Sequence, residues 1–198
     1  MAVAAAACGA VSGTAAAEPP AAAWRLVWAD EFDISGPPDP EKWGYERGFV
    51  RNRELQWYQP ENARCEDGCL VIEGRRERKR VTVRRRGKQQ PAVAEYTSAS
   101  VTTRGKFTWL YGRLEVRAKI VARDGLWPAI WTLGERGPWP GKGEVDVMEF
   151  YDGKILANAA WRGPERRVQW DAVKTPITEL GDAWDNDFHT WRMDWDRD

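Results

Sequence analysis

One stretch constrains the fold more than any other. Gly143-Glu144-Val145-Asp146-Val147-Met148-Glu149-Phe150-Tyr151 sets three carboxylates within six residues of an apolar, β-branched and aromatic run, which reads as a buried strand. Side chains alternate along a strand, so a regular ladder puts Glu144, Asp146 and Met148 on one face and Val145, Val147 and Glu149 on the other. That register buries Glu149 beside two valines, where an unpaired ionised carboxyl costs roughly several kcal/mol. A β-bulge near Val147-Met148 removes the conflict: two residues then count as one, and Glu144, Asp146 and Glu149 face the same way.

Three acids on one open face suit glycosidic bond cleavage, in which two carboxyl groups about 5 Å apart act as nucleophile and proton donor. Asp146, between the other two, is placed to hold a proton with Glu144 and, by like-charge proximity, to help keep Glu149 protonated. The competing reading of the same pattern is a strand whose acids are solvated or bind calcium. Tryptophan usage bears on the choice. Thirteen Trp against five Phe exceeds what core packing explains, because a buried indole N–H needs a partner; flat rings lining a groove stack on sugar faces, and a Trp-rich core is the alternative.

Other chemistries find little support. Thirty Lys plus Arg balance thirty Asp plus Glu, so no global charge argues for nucleic acid or a membrane surface. A single histidine, His189, excludes His-rich zinc sites and makes a Ser-His-Asp hydrolase a poor fit. No nucleotide-binding glycine pattern appears, and no apolar run reaches the ~20 residues that span a bilayer.

Residues 1–23 read as a signal-like or low-complexity leader, with Ala15-Ala16-Ala17 as an A-x-A cleavage site and Cys8 as a weak lipoprotein candidate; the expected location is secreted or in the cell envelope or periplasm. Residues 24–198 form one domain. Residues 24–32 read as its first strand, and a long irregular stretch to Asn62 follows, offering Asn52, Glu54 and Gln56 for hydroxyl-rich ligands or for turns. Cys65 and Cys69 flank a hairpin turn and are candidates for a bridge. The basic run over residues 75–88 reads as a solvated outer strand and loop, with a landing area for an anionic polysaccharide as the second reading. Further strands are expected at 70–77, 99–103, 107–120, 126–133, 145–151, 154–161 and 190–195. Short strands at close spacing predict an all-β sandwich or jelly roll.

The chain resembles glycoside hydrolase family 16, whose E-x-D-x-x-E signature is matched by Glu144, Asp146 and Glu149. Asp30-Glu31-Phe32, residues 52–58, Tyr96-Thr97-Ser98-Ala99, residues 111–118, Gly125-Leu126-Trp127-Pro128-Ala129-Ile130-Trp131 and Phe188-His189 fall in family order. The resemblance implies a β-jelly roll of two antiparallel sheets with a concave substrate groove, and endo-acting, retaining hydrolysis of β-linked glucans or galactans. It implies Glu144 as nucleophile, Glu149 as acid/base and Asp146 as assisting carboxylate, with Asn52, Trp127, Trp131 and Trp139 as substrate contacts. The bulged motif resembles the laminarinase, agarase and carrageenase branch, and laminarin-type 1,3-β-glucan is the leading expectation. Two departures bear on it. Ser100 stands where laminarinase-like members tend to carry Arg, and residues 155–161 lack their His; Asn158 and Trp161 are the expected replacements. No cofactor is expected; the structural calcium common in the family would draw on a late ligand beyond Asp198. Family domains also continue past the strand at 190–195, so the last strands are expected to be missing here. The protein is expected to act as a monomer on a polysaccharide. A lectin-like binding sandwich and a transglycosylase are the alternatives.

Overall fold

A computed structural model describes residues 2–8 and 24–197; the expected cleavage site at Ala15-Ala16-Ala17 lies outside the described residues. Among the described residues the chain forms thirteen strands, short 3-10 helices and no α-helix. The strands are β1 (Ala2–Cys8), β2 (Gly44–Tyr45), β3 (Gln56–Tyr58), β4 (Ala63–Glu66), β5 (Cys69–Arg85), β6 (Lys88–Ser98), β7 (Val101–Thr102), β8 (Gly112–Lys119), β9 (Ala129–Leu133), β10 (Glu144–Tyr151), β11 (Lys154–Arg162), β12 (Val168–Pro176) and β13 (His189–Trp195). A larger sheet runs β13-β8-β1-β5-β6-β3 with β4 also on β5, a second runs β12-β11-β10-β9, and β2 pairs β7 in a small ribbon. Ladders are antiparallel apart from β3 with β6. No helix among the described residues is long and apolar enough to cross a membrane.

The two main sheets pack face to face, as the all-β jelly-roll expectation requires. Ile120, Met148 and Phe150 are buried together, with Ile130 of β9, Ile155 of β11 and Trp191 of β13 against them. Full burial of a Met or Phe contributes roughly 1.5–3 kcal/mol, so β10 is anchored by its apolar inner face and its acids lie outward. A second cluster joins Ala63, Leu70 and Ala99 to Tyr45 and Val101.

Four expectations change. Residues 24–32 join no ladder: Asp30 accepts the Phe32 N–H at 3.2 Å, Phe32 takes φ 56°, and the Trp43 indole N–H closes on Asp30 at 2.7 Å, so a local turn replaces pairing. Cys65 and Cys69 are not bridged to each other, because Cys65 pairs with Leu70 and Glu66 with Cys69, which sets the two sulfurs on opposite faces. β12 was not foreseen. It is a mostly exposed edge strand, with the mixed polar sequence that edges favour. Ala2–Cys8, assigned to the leader by sequence, lies in the larger sheet between β5 and β8.

The loop before β4 is tied down by Asn62, which is fully buried. Its amide donates to the Glu73 carbonyl at 2.9 Å and to Thr97 Oγ1 at 3.1 Å, and its carbonyl accepts from Gln59 at 2.7 Å. Asn62→Ala strands these partners without water. It is expected to cost about 3 kcal/mol, measured as a lower urea midpoint at unchanged m-value; a shift too small to resolve would show that the network does not hold the loop.

Candidate active site

β10 carries the irregularity that the acids demand. Its register shifts between Asp146 and Met148 against β9 and between Asp146 and Glu149 against β11. Asp146 is thereby paired with Trp131 and Asn158, and Glu149 with Ala129 and Leu156. The three acids meet on one face. Asn158 Nδ2 donates to Asp146 Oδ2 at 3.2 Å and to Glu149 Oε2 at 2.8 Å, and a side-chain hydrogen bond joins Asp146 to Glu144.

Two tryptophans close on the outer carboxyls. Trp127 Nε1 donates to Glu149 Oε1 at 2.9 Å, and Trp139 Nε1 donates to Glu144 Oε2 at 2.7 Å. Both rings remain nearly half exposed, at 43% and 46%, so each spends its N–H on an acid while keeping aromatic surface for a ligand. The Trp139 loop is pinched where Gly134 N–H meets the Gly143 carbonyl at 3.2 Å. A Cβ at Gly134 would sit 1.8 Å from the Lys142 carbonyl oxygen, so only glycine fits there.

The other expected contacts divide. Trp131 lies on the acid face of β9, but the Arg51 guanidinium sits 5.1 Å from its ring centroid and covers one side. Glu46 grips Arg51 and accepts from the Ser100 hydroxyl at 2.8 Å. Asn52 is exposed beside Arg51, with φ 52°, and its side chain bonds to no described residue. Asn158, expected to touch substrate, bonds the acids instead. Trp161 alternates onto the opposite face of β11 from Asn158; Trp170, paired with Ala160, holds the acid face and lies 6.3 Å from Trp139. The sequence reading missed Trp170, Arg51, Glu46 and Tyr151, whose ring lies 4.8 Å from Trp127. Trp170 would have been found had β12 been read as a strand.

Burial and crowding set the charge of the trio. Burial, then the Glu149 and Glu144 charges, push Asp146 from 3.8 up to about 7, although the Asn158 amide pulls it down. Burial raises Glu149 too, and the Glu144 charge adds to it, against the Trp127 and Asn158 donors. Among the described residues no group of three or more His, Cys, Asp or Glu side chains is placed to hold a metal ion. Because folded Asp146 keeps its proton above the pKa of the unfolded chain, the native state binds more protons between about pH 4 and 7, and stability falls as pH rises through that window. Asp146→Asn removes this cost. It is expected to gain on the order of 1 kcal/mol at pH 7.5, about 3 °C in Tm, and little at pH 4; an equal gain at both pH values would assign it to packing.

Residues 71–198 match the family profile described as Glycosyl hydrolases family 16. The chain is 48% identical over 136 residues to a beta-glucanase of Rhodothermus marinus, covering 64% of this chain and 43% of that protein. It is 35% identical over 188 residues to a glucan endo-1,3-beta-glucosidase of Cryptopygus antarcticus, covering 89% and 64%. A crystal structure of a non-specific endo-beta-1,3(4)-glucanase of family 16 superposes with a TM-score of 0.70 at 36% identity, covering 88% of this chain and 66% of that one. The chain thus spans less than two thirds of the length of each.

Proposed function

The chain belongs to the glycosyl hydrolases family 16, and from that premise we propose that it is a secreted, endo-acting, retaining β-glycanase that cuts a β-linked glucan, with laminarin-type 1,3-β-glucan as the leading substrate and residues 24–198 as its catalytic unit. The observation that carries the reading is the shared amide: Asn158 holds Asp146 and Glu149 together while Asp146 bonds Glu144. Three carboxyls so joined, two of them raised in pKa, divide the work of a double displacement.

In the first step the Glu144 carboxylate attacks the anomeric carbon, the glycosidic C–O bond breaks, and the departing oxygen takes the Glu149 proton. In the second, the Glu149 carboxylate takes a proton from water as that water attacks the anomeric carbon and frees Glu144. Asp146, protonated near neutrality, bonds Glu144 and spares the site a third negative charge. Trp127, Trp139 and Trp170 offer ring faces along the groove, and Arg51 supplies a guanidinium beside Trp131 although Ser100 stands at the arginine position of laminarinase-like relatives. The relatives' names, beta-glucanase and glucan endo-1,3-beta-glucosidase, favour glucan.

The test is reducing-sugar release from laminarin, mixed-linkage glucan, agarose and carrageenan, with the anomer of the first product followed by NMR. Release from the two glucans with the β-anomer first is expected. Release from a galactan alone would move the substrate, and none from any of the four would remove the enzymatic reading.

A further inference from the structure

The charge balance of the chain hides a strong segregation. β1 pairs β5 only as far as Arg75, and β3 pairs β6 only from Tyr96, so residues 76–95 run on past both neighbouring strands as a two-stranded arm about 30 Å long. Those twenty residues carry eight Lys and Arg against two Glu. The arm is therefore strongly cationic in a chain whose thirty bases and thirty acids cancel overall.

Its base and its outer part differ. Glu77 accepts from Thr97 Oγ1 at 2.6 Å, and Lys79 bonds Gln59, so both turn toward the buried Gln59-Asn62-Thr97 network. Beyond the register shift between Arg76 and Lys79, Arg80, Thr82 and Arg84 alternate along one exposed face, about 7 Å apart, with Arg78 beside Glu95 at its inner end. Val93 lies opposite Arg80 and Pro91 opposite Thr82 on that face, both exposed, while Tyr96, three residues from Val93, lies on the other side. Arg78 reaches Glu95 at 3.4 Å, but both side chains are well exposed, and such a pair is weak. Among the described residues, Arg76, Arg80, Arg85, Arg86 and Lys88 meet no carboxylate.

We propose that this face of the β5–β6 arm is a second binding surface for an acidic polysaccharide, a linear glycan bearing sulfate or uronate groups, separate from the acid-lined groove. Guanidinium forks take sulfate or carboxylate in bidentate fashion, and the exposed Val93 and Pro91 beside them offer apolar surface to sugar faces. A stacked nucleic-acid duplex offers phosphates but no open ring face, so it matches the cations and leaves Val93 and Pro91 unused. The arm would hold a charged matrix while the groove works on its own chain.

The experiment measures binding of the full chain to dextran sulfate, polygalacturonate, neutral dextran and duplex DNA. Binding to at least one acidic glycan is expected, with none to dextran and a fall of about tenfold or more between about 50 and 200 mM salt. Replacing Arg78, Arg80 and Arg84 together by Glu is expected to weaken it by roughly 100-fold, and Val93→Ser to weaken glycan binding further than DNA binding. Glu149→Gln should leave all of it intact, which separates the arm from the groove. Binding of DNA as tight as that of the best glycan, or indifference to either set of substitutions, would overturn the proposal.

Discussion

Glu149→Gln is expected to cut turnover of a natural glucan by on the order of 10⁴-fold, and Glu144→Gln by at least as much, because in the proposed double displacement each removes a group that acts on the reacting bond. The two should differ on an aryl glycoside with a good leaving group. That substrate departs without a proton, so Glu149→Gln still forms the glycosyl-enzyme quickly and releases it slowly, giving a burst of phenolate. Glu144→Gln lacks the attacking oxygen and gives none. Glucan binding should survive both changes, since a truncated reacting carboxyl loses transition-state interactions more than ground-state ones. A burst from Glu144→Gln with none from Glu149→Gln would reverse the assignment, and binding that falls in step with turnover would argue for acids that merely grip sugar.

Asn158→Ala is expected to lower kcat about 100-fold with KM little changed, because one amide holds two carboxyls at 3.2 and 2.8 Å. The pH profile carries the distinguishing sign. Asn158 lowers the pKa of both Asp146 and Glu149, so its loss raises them further and carries the alkaline limb, where Glu149 loses its proton, to higher pH. A rise in KM at constant kcat, with the limb unmoved, would return Asn158 to the role the sequence first suggested, a contact to sugar.

That contrast marks where the sequence stops being legible. The outward grouping of Glu144, Asp146 and Glu149 could be argued from one strand, since the conflict between Glu149 and its valine neighbours is local and a bulge is the local remedy. Asn158 bonds across a ladder, and nothing in residues 154–161 says which residue of β10 lies opposite. The same limit misplaced the aromatic wall: Trp161 and Trp170 are equally conspicuous in sequence, and only the register of β11 with β12 puts Trp170 over the acids. Residues 24–32 failed for a different reason, because the alternation that suggested a strand is cut by the Asp30 side chain and the positive φ at Phe32. Arg51 over Trp131 joins a loop to a strand some eighty residues away in sequence, a closure that no periodicity encodes.

The pairing of each indole N–H with an acid ties grip to reactivity. Rotating Trp139 about its side-chain bonds carries a proton donor away from Glu144, and rotating Trp127 does the same to Glu149. A sugar that seats itself by turning Trp127 therefore raises the pKa of Glu149, and one that turns Trp139 takes a donor from Glu144. Walls and floor of the cleft behave as one mechanical part, and drift in substrate preference here cannot proceed by exchanging wall residues while leaving the chemistry untouched.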